Sequence, residues 1–313
     1  MAARPRCERE SACEPTTKGG PCDRDPTSRR TRARRAAAAL ALACLVVASS
    51  PATAANDEGA DAAAALLPDV QTVVPQHLQL QNKQQRDILR FSNGIANTGP
   101  GPWALRPEPS LDVARALGLT TVSAVQELRD SGAYYRCGEQ PKQVTECYEV
   151  VSEHVAGVFE FHPAHNHWHI GDTALFEVRQ GSPTGPVVGG NSIKTTFCLV
   201  DSYKLVGNQP TKERTFWDCY ASFQGISSGW VDQYHQSTPG QQLDVTDVPD
   251  GDDYYLVTTA NHADVFQEAN PGNNSGWVRF RLDTQGGNRK IEVTGHSPCV
   301  MGTGLCGENA TNR

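Results

Sequence analysis

His162-Pro163-Ala164-His165-Asn166-His167-Trp168-His169 places four of the chain's nine histidines in eight residues; His154 is the only other one nearby. Read as an extended strand, successive side chains point to opposite faces. His165, His167 and His169 then line one face, roughly 6–7 Å apart from one to the next. Each neutral imidazole carries a donor and an acceptor, so three together make a poor apolar core and a sensible metal site. The competing reading is a polar strand face whose histidines are satisfied one by one. His162 falls off this face by strand parity, and Pro163 interrupts the regularity, so its role stays open.

Outward from this segment the chain reads as all-β. Turn signals recur at Asn93-Gly94, Thr98 to Pro102, Thr238-Pro239-Gly240, Pro249-Asp250-Gly251 and Asn270-Pro271-Gly272. Short β-branched and aromatic runs lie between them. The expected strands are 71–80, 86–92, 146–152, 157–162, 164–169, 173–179, 194–200, 242–247, 253–259 and 276–282. One helix is expected at about 110–131, with Ser110 as its N-cap. The expected architecture is a β-sandwich core with long loops, one short helix and up to three disulfides.

The N-terminus reads as an export signal. The basic run Arg29 to Arg35 precedes an apolar stretch from Ala36 to Ala48 and a small-residue end at Ala52-Thr53-Ala54-Ala55. Residues 1–55 are therefore expected to be removed, 56–66 to form a flexible tail, and 67–313 to be a single catalytic domain. Ser28-Arg29-Arg30 fits a twin-arginine signal poorly, and Cys44 is a weak match to a lipoprotein cysteine. No apolar run is long enough to serve as a transmembrane anchor. Without residues 1–55 the formal charge falls from −7 to −12. Such a surface repels nucleic acid and suits cationic amines. Six cysteines remain, an even number in an exported chain. Sequence proximity pairs Cys137 with Cys147, Cys198 with Cys219, and Cys299 with Cys306.

Imidazoles alone leave the metal open among copper, zinc, iron and nickel. A blue-copper centre needs a cysteine ligand and usually a methionine. The cluster contains no cysteine, and the only methionines are Met1 and Met301. A His₃ zinc enzyme and a cupin-like site both remain. Asp172 and Glu177 fit the cupin spacing only in part.

Several ordered motifs narrow this. Phe159 to His169 is similar to the copper-binding segment of lysyl oxidases. Lys194-Thr195-Thr196-Phe197-Cys198-Leu199-Val200-Asp201 resembles that family's Lys-Ala-Ser-Phe-Cys-Leu-Glu-Asp. Cys219, Gln224 to Gly229 and Asp232-Gln233-Tyr234 follow at matching spacing, as does Asp244 to Val248. Upstream, Leu67-Pro68-Asp69-Val70 and Leu89 to Gly99 also fit. The resemblance covers about 67–280, with a divergent insertion near 105–135.

It implies a copper ion on His165, His167 and His169, and a lysine tyrosylquinone formed from Lys194 and Tyr234. It implies a secreted amine oxidase that turns primary amines, peptidyl lysine among them, into aldehydes with O₂, releasing H₂O₂ and ammonia. The alternatives are a non-catalytic metal- or calcium-binding module and the His₃ zinc or iron enzyme; neither needs Lys194 or Tyr234. The family's cysteine in the histidine segment is Ala164 here and another is Trp230, which leaves Cys198 as the partner implied for Cys219. Asp172 is a candidate base. Asp69, Glu268, Asn270, Asn273 and Asn274 resemble a calcium site, with Asn270 in place of a charged ligand. The Arg/Ala-rich leader has a bacterial look.

Overall fold

The computed structural model describes residues 64–189, 193–207, 214–220 and 223–308. The export-signal region lies outside them, as does most of the tail. Leu66, expected in that tail, bonds through its N–H to the Arg129 carbonyl at 2.8 Å.

Fourteen strands are described. They are β1 (Val70–Lys83), β2 (Arg86–Asn97), β3 (Trp103–Glu108), β4 (Thr121–Arg129), β5 (Val150–His162), β6 (His167–Gln180) and β7 (Ile193–Phe197). The rest are β8 (Tyr203–Lys204), β9 (Gln224–Ile226), β10 (Trp230–Tyr234), β11 (Gln242–Asp244), β12 (Gly251–Ala260), β13 (Ser275–Gln285) and β14 (Asn288–His296). They form two sheets. The smaller runs β1-β2-β10-β8, with β11 also on β2. The larger runs β14-β13-β12-β6-β5-β4-β3-β9, with β7 also on β6.

One apolar core draws on both sheets. Leu89, Phe91 and Ile95 from β2 meet Phe159, Trp168, Phe176 and Phe280 from the larger sheet. Phe91 sets its edge on Phe176, with centroids 5.0 Å apart at 89°. This is an all-β, two-layer arrangement in which each inner face buries alternate residues.

The helix is much shorter than expected. Ser110 does cap it, accepting from the Val113 N–H at 3.4 Å. It runs only from Leu111 to Ala116. Gly118 takes a left-handed φ of +66° that stops it. Thr120, Thr121 and Val122 then favour extended backbone, and the rest of the expected helix is strand β4. The strand expected at 164–169 is also corrected. Residues 163–166 are the turn of a β5–β6 hairpin, closed by the pairing of His162 with His167. All three expected disulfides are formed. Among the described residues no helix is long and apolar enough to cross a membrane.

Candidate metal centre

The histidines converge because of a hairpin, not a single strand. The carbonyl of His162 accepts from the N–H groups of His165 (3.1 Å) and Asn166 (2.9 Å). Asn166 sits at φ +55°, a conformation that asparagine tolerates better than most residues. The turn brings His165 back over β6, where His167 and His169 already share a face. His169 Nε2 lies 2.9 Å from His167 Nε2 and 3.4 Å from His165 Nδ1. One donor atom from each residue falls within 4.8 Å of the other two. Which ring nitrogen donates in these contacts depends on the tautomer, and the three nitrogens together offer one point at which a metal could be held.

Burial explains why they stay neutral. His169 is 6% exposed. Its pKa falls to about 3, first through burial and then through His167, His162 and His165. His165 and His167 are also lowered, again chiefly by burial. Neutral imidazole is the ligating form. The outer nitrogen of His169, Nδ1, meets Thr196 Oγ1 at 3.2 Å. A second partner of this kind fixes the ring for a metal on the other nitrogen. His162 stands outside the converging trio. It stacks on His165 at 4.3 Å and on His169 at 4.8 Å, so its role in this structure is to pack against two candidate ligands.

Two more elements close on the cluster. The sulfurs of Cys198 and Cys219 lie within 4.8 Å of a His167 nitrogen. Being joined to each other, they are neighbours of the centre rather than thiolate ligands. Tyr234, at the end of β10, donates its hydroxyl to the Cys198 carbonyl at 2.5 Å. Its ring lies against Phe197 with centroids 4.0 Å apart. Burial, followed by the charge of Asp232, raises the Tyr234 pKa well above that of a free phenol.

Asp232 is 1% exposed. Burial, then the charge of Asp201, pushes its carboxyl up. Asp201 accepts from Ser227 N, Ser227 Oγ, Thr215 N and Phe216 N at 2.8–3.0 Å. Lys194 lies on β7, its Cα paired with Leu175 of the histidine strand, two residues before Thr196. Its side chain is outside the described residues.

Thr196, Asp232 and Tyr220 were missed in the sequence. Tyr220 sets its ring edge-on to His167 at 5.6 Å. Thr196 was legible only as a neighbour of Lys194, Asp232 as part of the Asp-Gln-Tyr motif, and Tyr220 as a neighbour of Cys219. Asp172, the candidate base, sits at φ +54° with a carboxylate oxygen 3.7 Å from His262 Nε2.

A second cluster gathers oxygen. Asp69 accepts from the Asn273 amide (3.0 Å) and the Thr98 hydroxyl (2.8 Å). Glu268 accepts from Asn274 (2.7 Å), Asn261 (2.5 Å) and Val70 N–H (3.1 Å). The amide oxygens of Asn273 and Asn274 are buried without a hydrogen-bond partner. Asn270 is used differently: its side chain accepts from Gly272 N–H and caps the 3₁₀ turn Pro271–Asn273.

Residues 142–291 match the family model described as Lysyl oxidase. This segment is a lysyl oxidase domain. The pig protein named protein-lysine 6-oxidase is 32% identical over 117 residues, 37% of this chain and 44% of that protein. The chicken protein of that name is 30% identical over 145 residues, 46% of this chain and 30% of its own length. Human lysyl oxidase homolog 1 is 31% identical over 116 residues, 37% of this chain and 19% of that protein. The lysyl oxidase match thus spans less than half the length of these relatives. The family-model segment, 142–291, contains the histidine hairpin, Lys194, Tyr234 and the Glu268–Asn274 segment. Asp69 and the upstream motifs at 67–70 and 89–99 precede it.

Proposed function

We propose that this chain is an exported, copper-dependent amine oxidase that converts primary amines, peptidyl lysine among them, to aldehydes. The balanced reaction is RCH₂NH₂ + O₂ + H₂O → RCHO + NH₃ + H₂O₂. One observation carries this reading: the Tyr234 hydroxyl is bonded to the carbonyl of Cys198, whose disulfide lies against the His167 member of the converging trio. A zinc hydrolase or a binding module has no need of a half-buried tyrosine there.

The donor set fits a copper ion. His165 Nδ1 and the Nε2 atoms of His167 and His169 are the ring nitrogens that meet, and burial lowers the pKa of all three rings, which favours the ligating form. Lys194 and Tyr234 are the residues from which the quinone would form. When bound, copper and the quinone supply an electron sink for the amine and a route for its electrons to O₂. The chain's own residues do the rest. Thr196 orients His169, and His162 restrains two rings by stacking. Phe197 packs against the Tyr234 ring and holds it in place. Asp232 stands beside the phenol, its carboxyl raised first by burial and then by the charge of Asp201, and its charge in turn raises Tyr234.

The oxygen cluster fits calcium. Two carboxylates and two unpartnered amide oxygens form a hard donor set of the kind that ion prefers. The ligands proposed are Asp69, Glu268, Asn273 and Asn274, while Asn270 shapes the turn. The leader and the three disulfides support export to an oxidising compartment.

Peptide mass spectrometry on copper-loaded protein tests the reading. The expected result is a cross-linked pair of peptides containing Lys194 and Tyr234, with quinone staining. Recovery of the two peptides unlinked and unstained would sink it. Tyr234→Phe should bind copper normally and oxidise no amine.

A further inference from the structure

A cleft of about 260 Å³, lined in part by the segment that leads into Cys219, is not used by the proposed chemistry. Two separate segments wall it. Tyr134 and Tyr148 come from the loop between β4 and β5. Phe216, Trp217 and Asp218 come from the segment before Cys219, and Phe223 closes it near β9. Each wall is pinned. Cys137–Cys147 ties the first loop, and Tyr148 exchanges backbone bonds with Cys137 and Tyr135 at 2.9 Å. Cys198–Cys219 ties the second.

The charge at the cleft decides what fits it. The Arg129 guanidinium sits 3.8 Å above the centre of the Tyr148 ring and 5.5 Å from that of Phe223. It disfavours a second cation. Its own charge is already met by the buried Glu127 carboxylate at 3.0 Å, so an anion gains little. The Asp218 carboxylate on the wall accepts from the Tyr220 N–H at 2.8 Å, and what remains is a set of aromatic rings beside the buried guanidinium, a surface for an uncharged ring. The volume is below that of a site for a drug-sized ligand and suits one ring. Trp217, 59% exposed, and Tyr134, 43% exposed, leave two of these walls open to an incoming ligand.

The position links the cleft to the chemistry. Asp218 on its wall is followed directly by Cys219, whose sulfur is near His167. Tyr220, the next residue, sets its edge on the His167 ring. We infer that this cleft holds an aromatic ring carried by the amine substrate, placing its reactive amine toward the histidine cluster. This rests on the amine-oxidase reading above. The ring can belong to a small arylalkylamine or to an aromatic residue beside a peptidyl lysine.

Two measurements on the full copper-loaded chain separate this inference from that reading. The first is kcat/KM for phenethylamine against n-butylamine, and for a Phe-Lys peptide against a Leu-Lys peptide. The ring-bearing member of at least one pair should be favoured by about tenfold, and the pair that shows it names the source. Trp217→Ala should erase that preference through KM while changing n-butylamine turnover less than twofold. The second is fluorescence titration with 2-phenylethanol, which carries the ring and no amine. Binding should weaken about tenfold in Trp217→Ala. Ring binding without amine oxidation overturns the enzymatic reading and the substrate role together, leaving only a ring site. Amine oxidation with no ring preference in either pair, or ring binding unchanged by Trp217→Ala, overturns the cleft inference alone.

Discussion

The histidine cluster and the oxygen cluster are both donor-rich, yet their internal accounts differ. In the oxygen cluster, amide groups donate to the carboxylates: Asn273 to Asp69, and Asn261 and Asn274 to Glu268. Those carboxylates also tie β1 to the 268–274 turn through Val70 N–H. In the histidine cluster the groups that meet are ring nitrogens alone, with no carboxylate among them, and their donor and acceptor roles depend on the tautomer. The first cluster is a structural joint that an ion would reinforce. The second is a set of ring nitrogens that, on the function proposed above, an ion would complete.

The sharpest way to break this contrast is His169→Ala. It should lower copper affinity by at least about a thousandfold, since it removes one of three ligands and the most buried of them; isothermal titration with copper checks it. Glu268→Ala should leave copper affinity unchanged and instead destabilise the fold by about 3 kcal/mol, because three donors lose their acceptor. Urea unfolding measures that, and a loss below about 1 kcal/mol would mean that the oxygen cluster is not a joint. Thr196→Val should lower copper affinity by about 10–100-fold by freeing the outer nitrogen of His169, with little change in the unfolding midpoint of metal-free protein.

Acid sharpens the comparison further. The folded pKa of His169, about 3, lies below its ordinary 6.5. The unfolded chain therefore binds more protons between those values, and stability falls as pH falls through that window. Metal-free protein should lose about 1 kcal/mol per unit between pH 6 and pH 5, and copper loading, which keeps the folded imidazoles unprotonated, should leave that slope at least as steep. The smallest effect expected is from calcium, which should raise the melting temperature by a few degrees and do so less in Asn273→Ala.

Much of this was legible in residue order. The histidine spacing marked a metal site without showing its geometry, because a strand-based reading cannot foresee that Pro163 to Asn166 turn the chain back on itself. The disulfides were readable because each pair is close in sequence. The region around 110–131 misled because its apolar spacing suits a helix, while Gly118 and the β-branched residues after it win once β3 and β5 offer strand partners. Asp232 and Thr196 were obscure for another reason. Their significance depends on what packs against them from strands distant in sequence.

The hairpin has a consequence for chain entropy. His165 and His169 are four residues apart, whereas Tyr234 reaches back 36 residues to Cys198. On loop-closure scaling, a ninefold longer loop costs about 2 kcal/mol more to close. The ligand set is thus a local object that one turn of chain can assemble, and the tyrosine is a long-range arrival that only the finished sandwich can deliver.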